Sequence, residues 1–211
     1  TACTGSGAGL FTMLLLVCSL LYICLVHMRT IGIAAALVFV LFLWLWKEPA
    51  YRKRMLVGFF VLAAGAVLGA ALRFLVLRSV YGETDGEMLA VNDITGQFAR
   101  VAAICTGEGI RRFFCGCVGK LFYLGASSFG TIYFALAGLW QKCVALAGKV
   151  RKGKCISAQE WLSLFLLLSF AAQFLITAVY MNNPRRADEV VYGRYNDYLV
   201  PIFMGIGVMA M

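Results

Sequence analysis

Five stretches of this chain are continuously apolar over about the length that a helix needs to cross a membrane, and a sixth begins near its end. A hydrocarbon layer of about 30 Å takes about 20 helical residues. The stretches run from Gly9 to Val26, Thr30 to Trp46, Met55 to Leu77, Leu121 to Trp140 and Trp161 to Tyr180, and the sixth starts near Tyr198. They are unbroken rather than alternating, which speaks for helices and against membrane-spanning strands. Of the 211 residues 62% are hydrophobic and 14% charged, with a mean hydropathy of +0.86. A soluble domain has about 45–50% apolar and about 25% charged residues. A water-soluble enzyme, a disordered chain and a nucleic-acid module are thereby excluded. The expected fold class is all-α: a polytopic transmembrane helix bundle of five complete spans plus a truncated sixth, with amphipathic interfacial helices on the outer face. The chain starts at Thr1 and stops inside an apolar run, so it is expected to be a fragment cut at both ends.

The net charge of +9 reads as a topology signal once the cations are placed. Lys47, Arg52, Lys53 and Arg54 separate the second and third runs, and Lys142, Lys149, Arg151, Lys152 and Lys154 separate the fourth and fifth. Both loops belong on the cytoplasmic side of the plasma membrane. Arg78 to Lys120 carries five basic and five acidic residues and Met181 to Asp197 three of each, so both fall on the extracytoplasmic side. The N-terminus is then cytoplasmic. Trp44, Trp46, Trp140 and Trp161 fall at the cytoplasmic ends, where indoles favour the interface. Gly65 and Gly69 form a GxxxG pair suited to close helix packing. The eight cysteines show no CxxC spacing, hence no disulfide framework or zinc site, and no cleavable signal is evident.

In the first outer loop Ile94, Phe98, Val101, Ala102 and Cys105 recur at helical spacing after the caps Asn92 and Asp93. Thr106 to Gly109 breaks the pattern, and Ile110, Phe113, Phe114, Cys117 and Val118 form a second stripe beside Arg111 and Arg112. Two short amphipathic helices on the outer leaflet are expected, their arginines facing lipid headgroups or a lipid-borne phosphate. Glu83, Asp85 and Glu87 offer too few ligands for calcium and read as a solvated turn. Arg73, near the outer end of the third run, either snorkels or pairs with an acid of the outer loops or with a phosphate. Acids inside the spans are lacking, which argues against a proton-relay transporter, and the lone His27 gives no catalytic constellation.

The second outer loop is the most informative stretch. Arg185, Arg186 and Arg194 stand with Tyr192, Tyr195 and Tyr198 among three acids, Asp197 included. Arginine suits bidentate phosphate recognition and tyrosine brings an amphipathic ring with a hydroxyl. Arg194, Tyr195 and Asp197 stand just above the sixth run, whose start Pro201 helps to define. The alternative is a salt-bridged cap holding two helix ends.

Lys120 to Gly130, followed by a basic loop, a span and then Ala187 to Pro201, resembles the bacterial multi-pass membrane glycosyltransferases of GT-C type, which use polyprenyl-phosphate sugars. The resemblance covers about the second half of the chain. It implies an extracytoplasmic site at the membrane surface, a lipid-linked sugar donor and a cell-envelope glycan, lipid or protein as acceptor. It also implies a donor-phosphate role for Arg194, Tyr192 and Tyr195. Members carry a catalytic Asp or Glu on a first outer loop, whereas here the first outer connection is only His27 to Arg29, so the catalytic residues are unknown. No cofactor is implied for these residues; the resemblance leaves room for a divalent cation in a full-length protein, with no ligands for it here. The expected partners are membrane lipids and a polyprenyl-phosphate-linked sugar, not nucleic acid. A transporter or flippase of envelope intermediates and a non-catalytic membrane scaffold are the competing readings.

Overall fold

The computed structural model describes residues 31–47, 52–81, 100–180 and 194–211, with a few positions between 15 and 22. Among them are α1 (Ile31–Lys47), α2 (Arg52–Tyr81), α3 (Gly107–Ser127), α4 (Thr131–Arg151) and α5 (Ala158–Tyr180). A 3-10 helix (Arg194–Leu199) then leads into α6 (Val200–Ala210). The described residues are helical and contain no strand, as the unbroken apolar runs require. Of the run Gly9 to Val26 only those few positions are described, and His27, the acidic turn at Glu83 and the caps Asn92 and Asp93 lie outside the described residues.

By length and composition two described helices can cross a membrane, within α2 at Leu56–Val76 and over α5; α3 and α4 together would make a third. Apolar helices α1 and α6 are shorter, at 17 and 11 residues. The structure thus carries two to three candidate spans among the described residues, fewer than the five and a sixth expected. The fourth expected span, Leu121 to Trp140, is not one rod. The chain turns at residues 128–130, and α3 and α4 are bent by 110°. Small polar residues at the corner make this possible. Gly130 takes φ 77 and its N–H donates to the Gly125 carbonyl at 2.7 Å, while Ser128 N–H reaches the Leu124 carbonyl at 3.1 Å. The last carbonyls of α3 are thereby satisfied, as a helix end requires. Thr131 Oγ1 closes the turn on the Ser128 carbonyl at 2.7 Å.

The outer-loop expectation is also corrected. Residues 100–104 are helical and the break falls at 105–106, but the second helix is not short. Thr106 caps α3, accepting from Gly109 N–H at 3.0 Å, and the helix continues through the expected boundary at Lys120.

Two compact units divide the chain: Thr1–Gly82 with Gln141–Ala172, and Glu83–Trp140 with Gln173–Met211. The first has an apolar interior. Leu37 and Leu62 form one cluster; Val40, Leu146, Ile156 and Trp161 form another. Gly65 packs against the Leu21 side chain so closely that a Cβ would collide, which bears out its packing role. Trp161, expected at the interface, is buried and stacks on Trp44 with centroids 6.2 Å apart; Trp46 and Trp140 are exposed. The interior of the second unit is different in kind. Leu124, Ile132, Ala135, Leu139 and Phe203 are buried there beside Lys120, Gln173, Thr177 and Asn196.

Candidate functional site

The polar interior of the second unit is assembled by the 3-10 helix. Asn196 is 1% exposed, and its Nδ2 donates to Thr177 Oγ1 at 3.2 Å. Thr177 Oγ1 in turn lies 3.0 Å from the Gln173 carbonyl and 2.9 Å from that of Phe174, so its own proton can stay within α5 while the oxygen accepts. Next along the chain, Asp197 Oδ2 accepts from Tyr123 Oη at 3.4 Å. Two adjacent residues thus bind the turn that follows the Arg/Tyr loop to α5 on one side and to α3 on the other.

Lys120 lies one turn before Tyr123 on α3 and is 1% exposed. Its Nζ lies over Gly116, 3.9 Å from where a Cβ would stand. Removing an ammonium from water costs several kcal/mol, by order of magnitude. A buried lysine in an apolar helical protein therefore marks a place where charge is wanted. Gln173 is fully buried one turn before Thr177, and neither its Nε2 nor its Oε1 has a hydrogen-bond partner. Asp197 Oδ1 is buried and unpartnered as well. Such groups cost about 1–3 kcal/mol each when left unsatisfied and call for an explanation. The polar interior of this unit thus includes a cation, an amide with both donor and acceptor capacity, and a carboxylate oxygen still able to accept.

Arg100 braces the same unit. Its guanidinium stacks over the Tyr180 ring, 4.0 Å from the centroid, and donates to the Tyr180 carbonyl at 3.4 Å. The contact satisfies a carbonyl at the C-terminal end of α5 and places a cation where the helix dipole favours one. Among the described residues no three of His, Cys, Asp and Glu converge as metal ligands would.

The expected site residues meet different outcomes. Asp197 contributes to the polar interior. Arg194 and Tyr195 open the 3-10 helix by their backbones, Arg73 lies within α2, and the side chains of all three are outside the described residues. Arg185, Arg186 and Tyr192 lie outside them altogether. Arg111 and Arg112 are paired: Glu108 takes Arg111 Nε and Nη2 at 2.9 and 2.8 Å, and Arg112 Nε at 2.8 Å. That arrangement ties both guanidiniums to the first turn of α3.

Sequence reasoning passed over Lys120, Tyr123, Gln173 and Asn196. The available signal was Ser169, Gln173 and Thr177, three polar residues at four-residue intervals inside an apolar helix, hence on one face. Compared with models of protein families, with curated proteins and with solved structures, the chain matches none.

Proposed function

We propose that this chain is the membrane-embedded part of a glycosyltransferase-like protein, which transfers sugar from a lipid-linked donor to a cell-envelope acceptor on the extracytoplasmic side of the plasma membrane. In this reading the N-terminus is cytoplasmic and the loops Arg78 to Lys120 and Met181 to Asp197 face outward. The single observation that supports it is the polar interior of the unit that holds the 3-10 helix between the Arg/Tyr loop and α6, where Lys120 is buried and Gln173 and Asp197 keep buried polar atoms without hydrogen-bond partners. A lysine and the loop arginines suit a phosphate, and an amide beside a carboxylate suits hydroxyl groups. The donor's polyprenyl chain would stay in the lipid.

Lys120→Met and Arg194→Ala, each in the full-length protein, test this reading. Transfer from a polyprenyl-phosphate sugar should fall about tenfold or more, the scale of one lost charge-assisted hydrogen bond, at unchanged membrane expression. Unchanged transfer in both variants removes the polar interior from the mechanism. The polar face of α5 favours a second reading, a transporter or flippase of the same intermediates. Vesicles that move a labelled lipid-linked sugar without consuming it would put that reading first.

A further inference from the structure

The described residues of the first unit hold a single acid, Glu160, and both of its oxygens are engaged. Oε1 meets Lys149 Nζ at 2.7 Å, and Oε2 accepts from the N–H and the hydroxyl of Ser157 at 2.9 and 3.0 Å. Three cations around the turn that follows α4 are left over. Arg151 closes the helix, and Lys152 and Lys154 flank Gly153; all three are exposed, and none has an acid partner among the described residues. Capping does not occupy them either. The carbonyls of Gly148, Lys149 and Val150 accept from the backbone N–H groups of Lys152, Lys154 and Gly153 at 3.2, 3.0 and 3.2 Å, a closure that Gly153 permits at φ 66. Lys47 Nζ adds a bond to the Val150 carbonyl from the end of α1. Arg52, Lys53 and Arg54 then open α2, with no acid in that turn, and about 18 Å of chain at most separates Arg52 from Lys47. The macrodipole is positive at that end of α2, so the helix itself offers no compensation. Like charges so gathered repel one another, and anions from outside relieve the repulsion.

We propose that this basic end binds anionic phospholipid, the headgroup phosphates of the leaflet it faces lying among Arg151, Lys152 and Lys154. The turn runs into α5, a helix long and apolar enough to cross a membrane, so a crossing α5 sets the three cations at headgroup depth. Trp46, 71% exposed beside Lys47, brings an indole suited to that depth. A guanidinium takes phosphate oxygens in pairs, and an ammonium attracts them as a point charge. Counting cations along the chain predicts only the side on which a turn stays and requires no bound lipid. The pairing of the side chains goes further and reverses the expectation drawn from the sequence. Arg111 and Arg112, expected to face headgroups, are tied to Glu108, whereas the turn after α4, read as a topology signal, keeps three cations unpaired among the described residues. Lipid binding at this end does not depend on what the polar interior of the second unit holds.

Lipid selectivity in nanodiscs tests it. The natural chain is placed in phosphatidylcholine nanodiscs carrying trace nitroxide-labelled phosphatidylglycerol or phosphatidylcholine, and electron paramagnetic resonance reads the fraction of each label held against the protein. Phosphatidylglycerol should be preferred about fivefold or more, the scale of one lysine or arginine near an anionic surface. With Arg151→Gln, Lys152→Gln and Lys154→Gln made together, the preference should fall below about twofold. Parity in the natural chain overturns the proposal, and so does a preference that the triple change leaves in place. Should that variant not fold, the natural chain decides through the rate at which an amine-reactive reagent acylates Lys152 and Lys154. Slower acylation in phosphatidylglycerol nanodiscs than in phosphatidylcholine nanodiscs supplied with soluble glycerol phosphate supports a bound lipid headgroup, and equal rates overturn it.

Discussion

The two units of this chain bury opposite things. The first closes over aliphatic side chains and a pair of tryptophans, with its charges at the rim, where Lys149 meets Glu160 at 2.7 Å and Lys47 Nζ donates to the Val150 carbonyl at 3.2 Å. The second buries Lys120, Ser128, Thr131, Gln173, Thr177 and Asn196; of the buried polar side chains described, only Ser163 and Ser169 belong to the first. An apolar interior needs only shape and volume. A polar one needs every donor and acceptor matched, and here several are not. The first unit closes on shape, and the second carries a stability cost in its unmatched polar groups.

The largest effect expected on the first unit is that of Trp161→Ala. Removing a buried aromatic costs about 3–5 kcal/mol, and the stacked Trp44 ring would be left without its partner. A midpoint of thermal unfolding in detergent micelles that falls by only a degree or two would deny that unit its apolar character. In the second unit α6 meets the start of α4 backbone to backbone: Gly207 faces the Thr131 carbonyl so closely that a Cβ cannot fit. Gly207→Ala should lower the same midpoint, by about 1–3 kcal/mol for overpacking. The substitution is expected to spare the end of α4 and the start of α5, around the clasp of Lys149 and Glu160, which can be followed by protease resistance of that segment.

Gln173→Leu sharpens the contrast because its sign is reversed. Replacing a buried, unpartnered amide by an apolar group of similar volume should leave stability unchanged or raise it by about 1 kcal/mol, while sugar transfer falls. A loss of stability without loss of transfer would make Gln173 an ordinary structural residue. The smallest effect belongs to Thr106→Ala, which removes the cap of α3 at a cost of about 1 kcal/mol and frays the helix start, readable as faster amide exchange at Gly109.

Where hydropathy alone determines structure, reading along the chain succeeds. The second run, expected from Thr30, is observed as Ile31–Lys47; the fifth, expected from Trp161, begins three residues earlier because Ser157 and Glu160 form a reciprocal cap. That S-x-x-E signature was legible and lay just outside the apolar run. The α3–α4 corner was missed for the opposite reason. Ser127, Ser128, Gly130 and Thr131 are small enough to pass within an apolar stretch, yet they are also turn formers, and hydropathy does not register backbone angles. Lys120 was missed because a lysine at the margin of an apolar run reads as a rim residue; its burial depends on Gly116 one turn earlier and on packing from distant segments. The Glu108 pairings were open to the rule of three and four, which the adjacent arginines obscured.

The clasp between Lys149 and Glu160 bears on how the chain is made. The Lys149 side chain is 42% exposed and that of Glu160 14%, and a pair at such a rim contributes about 1 kcal/mol to the finished protein. They are close in the chain, however, and Glu160 also caps the helix that begins beside it, so the contact can form as soon as the first turn of α5 has been synthesised. During translation, the facing ends of α4 and α5 can thus register around the basic turn at Arg151 and Lys152 before the Arg/Tyr loop and α6 exist. A charge swap between residues 149 and 160 keeps both the clasp and the turn's count of basic residues, whereas each single change breaks the clasp and the two move that count in opposite directions. Comparing it with either single change would separate the register of the hairpin from the direction in which it is inserted.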